Sequence, residues 1–337
     1  MLIKWRGKRY LMIIEKLDKN SYTFWDEFVE ASPQGSIFSK TWYLNALKIN
    51  YEILVVKYNN EIKAGIVLAK NEINTYSNPL LDKYLGILFL NEQGNQQKII
   101  SRQYKYMEEL IKELKHIKSF DYYFHPSFIN WILFSWNGFM QETRYTYRIN
   151  NNSNTLEKIY NNFHNKIIKN NIKYAQKSQV VIKQNVPFET LWRLVNETFL
   201  RQGGKAPFNK NKLEYYIDTL TKQGVLVTFG AYVNDDTCVA AGAFVYEKKS
   251  AYFLLNGIDI KNMPRGANTY MIYESIKYFH EKCDYFDFEG SMLPGVEPFY
   301  RKFGGELTPY MRIWNDNFFN YAKTKVKKIY KKIRYGR

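Results

Sequence analysis

The sequence predicts an α/β (α+β) protein built as two tandem domains, each a mixed, mostly antiparallel sheet flanked by helices. Three observations predict it. The chain has 337 residues, too many for one compact core of ordinary size and suited to two of about 150 each. Hydrophobic residues make up 45% of it, enough to fill both cores. Hydrophobic periodicity then runs through one coarse order twice: helices, a hairpin, a strand, a long helix, then strand, helix, strand.

In the first half a helical pattern covers 22–31, and Phe38-Ser39-Lys40-Thr41-Trp42-Tyr43-Leu44 begins a second helix with an aromatic face and Lys48 near its end. Strands over 52–58 and 61–69 flank Asn59-Asn60, a polar pair suited to a hairpin turn. After a loop at Asn78-Pro79 come a strand at 85–89, a helix over 101–114 with Tyr106, Leu110 and Leu114 on one face, a strand at 120–124, a helix at 128–134 and a strand at 143–149. The polar turn formers Asn150-Asn151-Asn152-Ser153-Asn154 read as a linker, so the expected domains are 1–150 and 151–315. In the second, a hairpin pairs 225–233 with 238–246 around Asn234-Asp235-Asp236, followed by a strand at 250–255, a helix at 267–281 and strands at 285–289 and 309–314.

No run of eighteen apolar residues occurs, and the apolar residues 11–14 are few and enclosed by Lys and Arg, so neither a signal peptide nor a membrane span is expected and the expected location is the cytoplasm. Cys238 and Cys283 stand in unrelated contexts, which argues against a disulfide framework; with four scattered His residues, no metal site is expected. The net charge is +17, and eight positive charges fall within 323–337 with no acid among them. Val326, Ile329, Tyr330 and Ile333 recur there at helical intervals, so 316–337 reads as a basic amphipathic helix that docks on the body, on anionic lipid or on RNA phosphates, or stays solvated.

The densest stretch is 287–305. Phe286 and Phe288 alternate with Asp287 and Glu289, so a strand would send aromatics to one face and carboxylates to the other. Gly290 and Gly295 bracket a loop, Pro298 suits the first turn of a helix carrying Tyr300, Arg301 and Lys302, and Gly304-Gly305 stops it. Phe299-Tyr300-Arg301-Lys302-Phe303-Gly304-Gly305 resembles the aromatic-Tyr-x-Lys-x-Gly signature that closes the GNAT acyltransferase fold, and the whole run resembles that of the FemAB-like branch. The resemblance implies two tandem GNAT-like domains with a C-terminal helix folded back on the first. It also implies aminoacyl-tRNA as co-substrate and no bound cofactor.

Site residues follow partly from chemistry and partly from the resemblance. Acyl transfer to an amine needs a neutral acceptor, stabilisation of the tetrahedral oxyanion and a proton for the leaving group. Tyr300 matches the GNAT tyrosine that protonates a departing thiolate, and its phenol would equally serve a ribose oxygen. Lys302 or Arg301 would stabilise the oxyanion or hold the tRNA end. Glu289 is the candidate for orienting or deprotonating the amine, whereas Asp287 is expected to fix the loop.

Lys166, Lys169, Lys173 and Lys177, three and four apart, put a row of ammonium groups on one helical face, suited to phosphates or simply solvated. Residues 167–180 resemble the FemAB-like segment whose Arg grips a nucleotide-linked precursor; Lys169 stands in its place, with a point charge instead of a two-pronged guanidinium. By the same resemblance, Lys48 and Lys40 are candidates for a second phosphate contact, although Phe38 replaces the family's Gln. Arg265-Gly266-Ala267 sits where GNAT enzymes cradle the coenzyme A pyrophosphate, or is a plain helix start capped by Asn268 or Thr269.

The expected function is transfer of an aminoacyl group from aminoacyl-tRNA to an amine of a nucleotide- or lipid-linked cell-envelope precursor, by a monomer at the inner face of the membrane. Its rivals are an acyl-coenzyme A dependent N-acyltransferase acting on an amino sugar or nucleotide sugar, and a non-catalytic RNA- or membrane-binding protein.

Overall fold

The computed structural model describes residues 2–5, 8–72, 75–234, 236–290 and 292–315; the basic helix expected over 316–337 lies outside them. In chain order the strands are β1 Leu2–Trp5, β2 Lys8–Lys16, β3 Asn50–Tyr58, β4 Glu61–Glu72, β5 Thr75–Ser77, β6 Leu88–Phe89, β7 Ser119–Tyr123, β8 Phe139–Asn150, β9 Val181–Gln184, β10 Leu226–Val233, β11 Thr237–Tyr246, β12 Ser250–Ile258, β13 Tyr285–Asp287 and β14 Glu306–Asn315. The α-helices are α1 Tyr22–Ala31, α2 Thr41–Ala46, α3 Gln96–Lys115, α4 Ile132–Trp136, α5 Leu156–Asn162, α6 Asn170–Lys177, α7 Phe188–Arg201, α8 Lys210–Lys222, α9 Ala267–His280 and α10 Glu297–Arg301.

Two compact units form. Among the described residues, one takes those up to Leu44, Ile49–Arg144 and 310–315; the other takes Asn45–Lys48 and Tyr145–Pro309. The chain passes from the first to the second within β8 and returns within β14. The division therefore falls before the Asn-rich stretch expected to be a linker, and the reason is physical. Asn150 still pairs with Tyr285 of β13, the buried Asn151 side chain donates to the carbonyls of Phe279 and Cys283, and Thr155 caps α5, so these residues are a folded turn of the second unit.

In the first unit the strand order is β1-β2-β3-β4-β5-β7-β14, with β6 also on β4. The expected hairpin closes through Asn59 and Asn60, whose φ of 53° and 66° fit a turn that needs two left-handed residues. Helix α3 lays Tyr106, Leu110 and Leu114 on the sheet, and Phe120, Phe124, Phe128, Phe134 and Phe139 interlock beside it. The strands over 2–16 have no counterpart in the sequence reading, and the strand expected at 85–89 shortens to Leu88–Phe89.

In the second unit the order is β8-β13-β12-β11-β10-β9. Among the described residues of this unit only β12 and β13 run parallel, and α9 crosses their sheet, burying Met271, Ile272, Ile276 and Phe279 against Phe244, Phe253 and Phe286. Each such side chain taken from water contributes about 1.5–3 kcal/mol.

The two units share a local frame. In the first, Ser119, Phe120 and Asp121 of β7 lie parallel to Thr75, Tyr76 and Ser77; in the second, Tyr285, Phe286 and Asp287 of β13 lie parallel to Ser250, Ala251 and Tyr252. Phe-Asp followed by an aromatic residue thus occupies equivalent places, and each Asp faces an Arg on the antiparallel neighbour, Arg312 and Arg148 respectively.

Candidate active site

The strand expected over 285–289 stops at Asp287, because Glu289 and Gly290 both take left-handed backbone, with φ of 56° and 62°. At Gly290 a Cβ would collide with the Tyr145 carbonyl, so glycine is required there by space as well as by conformation. Two successive left-handed residues carry the chain away from β12. Ladder pairing between β12 and β13 ends at Tyr252 and Asp287, and beyond Tyr252 no strand among the described residues pairs with that edge of β12. An open main-chain edge results.

Asp287 is fully buried and holds this corner. Its carboxylate accepts from Thr146 Oγ1 at 2.6 Å and from the Glu289 N–H at 2.8 Å, and Arg148 Nε lies 3.5 Å away. Arg148 also donates to Ser250 Oγ at 3.1 Å and stacks over the Tyr285 ring at 4.0 Å. Asp287 thus acts through the loop, as expected for it.

Tyr300 rides α10 with its half-buried ring 5.2 Å from Phe288, 5.8 Å from Phe299 and 6.2 Å from Phe253. Burial, and then the Glu289 carboxylate, hold its phenol well above the ordinary tyrosine range, so the hydroxyl keeps its proton at neutral pH. Glu289 and Tyr300 are therefore within electrostatic reach of each other. Glu297 pairs with Arg301 at 3.3 Å and accepts a hydrogen bond from Tyr147, whose phenol is pushed up to about 12 by burial and by that carboxylate. Arg301 is thereby partly committed within its own helix. The Lys302 ammonium makes no ion pair among the described residues, while its carbonyl accepts the His164 N–H at 2.9 Å.

The expected row of lysines is broken. A π-helical turn over Asn165–Lys169 precedes α6, with the His164 carbonyl accepting from Ile168 at 2.9 Å and Lys169 at 3.4 Å. The wider turn adds a residue relative to α-helical spacing, so side chains before and after it drop out of register. Lys169 folds onto the Asn161 carbonyl at 3.1 Å and the Tyr160 ring at 5.2 Å, while Lys173 and Lys177 stand exposed on α6.

Arg265 and Gly266 also differ from expectation. Arg265 donates to Asn171 Oδ1 at 3.1 Å and stacks 4.2 Å over Tyr174. Gly266, with φ of 87°, is itself the residue before α9, and a Cβ on it would strike the Asn171 carbonyl. Neither Asn268 nor Thr269 is the cap. Asn171 of α6 thus packs directly against this turn.

Lys48 belongs to the second unit, with its ammonium 3.3 Å above the Tyr215 ring on α8. Tyr215 lines a hollow of about 580 Å³ together with Glu214, Asp218, Asn185 and Phe188. Lys40 is tied to Glu30 and little exposed. Among the described residues no group of three or more His, Cys, Asp or Glu could hold a metal ion, and no helix is long and apolar enough to cross a membrane.

Asn256 escaped the sequence reading, and Asn268 was read there only as a helix cap. Oδ1 of Asn256 and Oδ1 of Asn268 are buried and accept no hydrogen bond from the described residues. Asn256 lies opposite Gly242, where a Cβ would meet the Phe253 ring at 2.8 Å and Met271 Cε at 3.1 Å. Cross-strand partners face one side, so Asn256 points to the side covered by α9, and it stands on the stretch of β12 left open by β13. The signal available in the sequence was a polar residue inside an otherwise apolar strand, Leu254-Leu255-Asn256.

No protein-family model matches the sequence, and no curated protein matches it. Solved structures do resemble it. FemX is 14% identical, with 88% of this chain and 96% of that chain covered and a TM-score of 0.66. L-PGS from Bacillus licheniformis is 11% identical, with 90% and 93% covered and a TM-score of 0.53. A tandem GNAT protein from the clavulanic acid biosynthesis pathway is 9% identical, with 90% and 98% covered and a TM-score of 0.52. In fold, the chain stands with the tandem GNAT-like proteins, FemX among them.

Proposed function

We propose that the protein is an acyltransferase that moves an aminoacyl group from aminoacyl-tRNA to an amine of a cell-envelope precursor. What carries this reading is the seat of Tyr300 against Phe288, the neighbour of Glu289, and against Phe253 on the stretch of β12 that β13 leaves open. The acceptor nitrogen attacks the ester carbonyl and forms the new N–C bond. Its proton passes to Glu289, and the developing oxyanion is met by the Lys302 ammonium. Collapse breaks the bond to the ribose oxygen, which takes the Tyr300 proton; Glu289 then returns a proton to the phenolate, leaving both groups as they began. The free edge of β12 suits an extended, amide-bearing substrate, which would add main-chain hydrogen bonds as a short extra strand.

The donor assignment rests on Arg265 being engaged by Asn171 and Tyr174 of α6, which leaves it less suited to a pyrophosphate and supports a charged tRNA over acyl-coenzyme A. The resemblance of 287–305 to FemAB-like proteins and the likeness in fold to FemX and L-PGS agree with it. Purified protein incubated with charged tRNA and, separately, with acyl-coenzyme A, each with envelope precursors, tests it by mass spectrometry. Precursor-dependent deacylation of the tRNA is the expected result; transfer from coenzyme A alone, or from neither, refutes it.

A further inference from the structure

In the second unit, α6 buries Ile172 and Ala175 and turns Lys173, Tyr174 and Lys177 outward, within one arc of the helix. Tyr174 is 44% exposed. The loop ahead of α9 lies against that arc. Arg265 holds its guanidinium 4.2 Å over the Tyr174 ring, and its Nε donates to Asn171 Oδ1 at 3.1 Å. Ring and hydrogen bond together fix the guanidinium, yet Arg265 remains exposed, and its two terminal nitrogens make no hydrogen bond among the described residues. The result is a fixed cationic platform on an aromatic ring, edged by two ammonium groups.

We propose that this face docks an RNA strand, with a base stacked on the Arg265–Tyr174 pair and phosphates on Lys173 and Lys177. That the RNA is the charged tRNA rests on the acyl-transfer reading. Charge selects a polyanion, and the charge is local. Residues 158–188 hold six Lys and neither Asp nor Glu, and 260–273 add Lys261 and Arg265, again without an acid. Lys166, Lys173 and Lys177 are exposed and make no ion pair among the described residues. The platform then separates RNA from an anionic membrane. Headgroups need only point charges, and α6 turns no aliphatic side chain outward to enter acyl chains. A guanidinium held on a ring suits an unpaired base instead, and the flanking ammonium groups suit its backbone.

Full-length protein is titrated into a fluorescein-labelled, uncharged tRNA transcript and followed by anisotropy at several salt concentrations. Uncharged tRNA reads binding apart from transfer. Lys173→Ala combined with Lys177→Ala is expected to weaken binding about tenfold at low salt and to lower the slope of log affinity against log salt by roughly 1.5. Arg265→Lys keeps the charge and loses the platform, so binding falls about tenfold with the slope unchanged. Lys98→Ala combined with Lys105→Ala, the same loss of charge from exposed positions on α3, leaves affinity and slope nearly unchanged. Circular dichroism checks that each variant is folded. Absence of tRNA binding by the native protein, a slope unmoved by the α6 substitutions, or native affinity in Arg265→Lys overturns the proposal. So does a loss of binding to phosphatidylglycerol vesicles in the α6 variant while its tRNA binding stays native, because a membrane would then be the occupant. Weakened tRNA binding in these variants, with no transfer from charged tRNA by the native protein, upholds the surface and refutes the acyl-transfer reading; transfer from charged tRNA with binding indifferent to the substitutions does the reverse.

Discussion

Phe120-Asp121-Tyr122 and Phe286-Asp287-Phe288 begin alike, each Phe-Asp-aromatic segment lying parallel to one strand and antiparallel to another, and they part at the next two residues. In the first unit Tyr123 continues β7 and Phe124 enters the core. In the second, Glu289 and Gly290 turn left-handed and the strand stops. The same frame therefore yields packing in one unit and an open edge with a carboxylate beside it in the other. The ion pairs differ in kind too. Asp121 is 35% exposed and meets Arg312 through two short contacts at 2.7 and 2.6 Å, whereas Asp287 is wholly buried and takes charge and hydrogen bonds from three directions.

Swapping properties across this pair tests the contrast. Asp287→Ala strands Arg148 in a buried site and is expected to cost about 3–5 kcal/mol of stability, read as a lowered midpoint in urea. If the loss is no larger than for the first-unit counterpart, the buried clip is not what holds the corner. Glu289→Gln preserves shape and removes the base, so aminoacyl transfer is expected to fall about 10²–10⁴-fold at nearly unchanged stability. Asp121→Ala, at the partly solvated pair, is expected to cost about 1 kcal/mol. The smallest effect is in pH dependence. Because Tyr300 is raised above its unfolded value of 10.0, its contribution to stability is complete below that pH and is lost as pH rises beyond it. Glu289→Gln removes one of the two causes, so in that variant the alkaline loss begins at the same pH but is expected to be smaller and to level off at lower pH, measurable by thermal melts across the alkaline range.

Much of the fold was legible because it is locally encoded. Helix α1 and the β3–β4 hairpin follow from periodicity and from Asn59-Asn60, and the aromatic closing helix from Pro298 and Gly304. Phe286 to Glu289 misled for the opposite reason: alternation continues in the sequence past Asp287, but the Glu289 N–H turns back onto the buried Asp287 carboxylate and Gly290 lies where no Cβ fits against Tyr145 and Thr146. Lys169 left the row because the π turn has no spacing signature. Asn256 gained meaning only from standing opposite Gly242, a relation between strands that periodicity within one strand does not contain.

One residue carries two segments at once, through the peptide groups on either side of it. The His164 amide binds the carbonyl of Lys302, and the His164 carbonyl closes the wide turn ahead of α6. Deuterium uptake at that single amide is accordingly a gauge of both: anything that loosens the end of the closing motif unlocks this proton, and the exposed Lys173 and Lys177 lose the anchor of their helix in the same event.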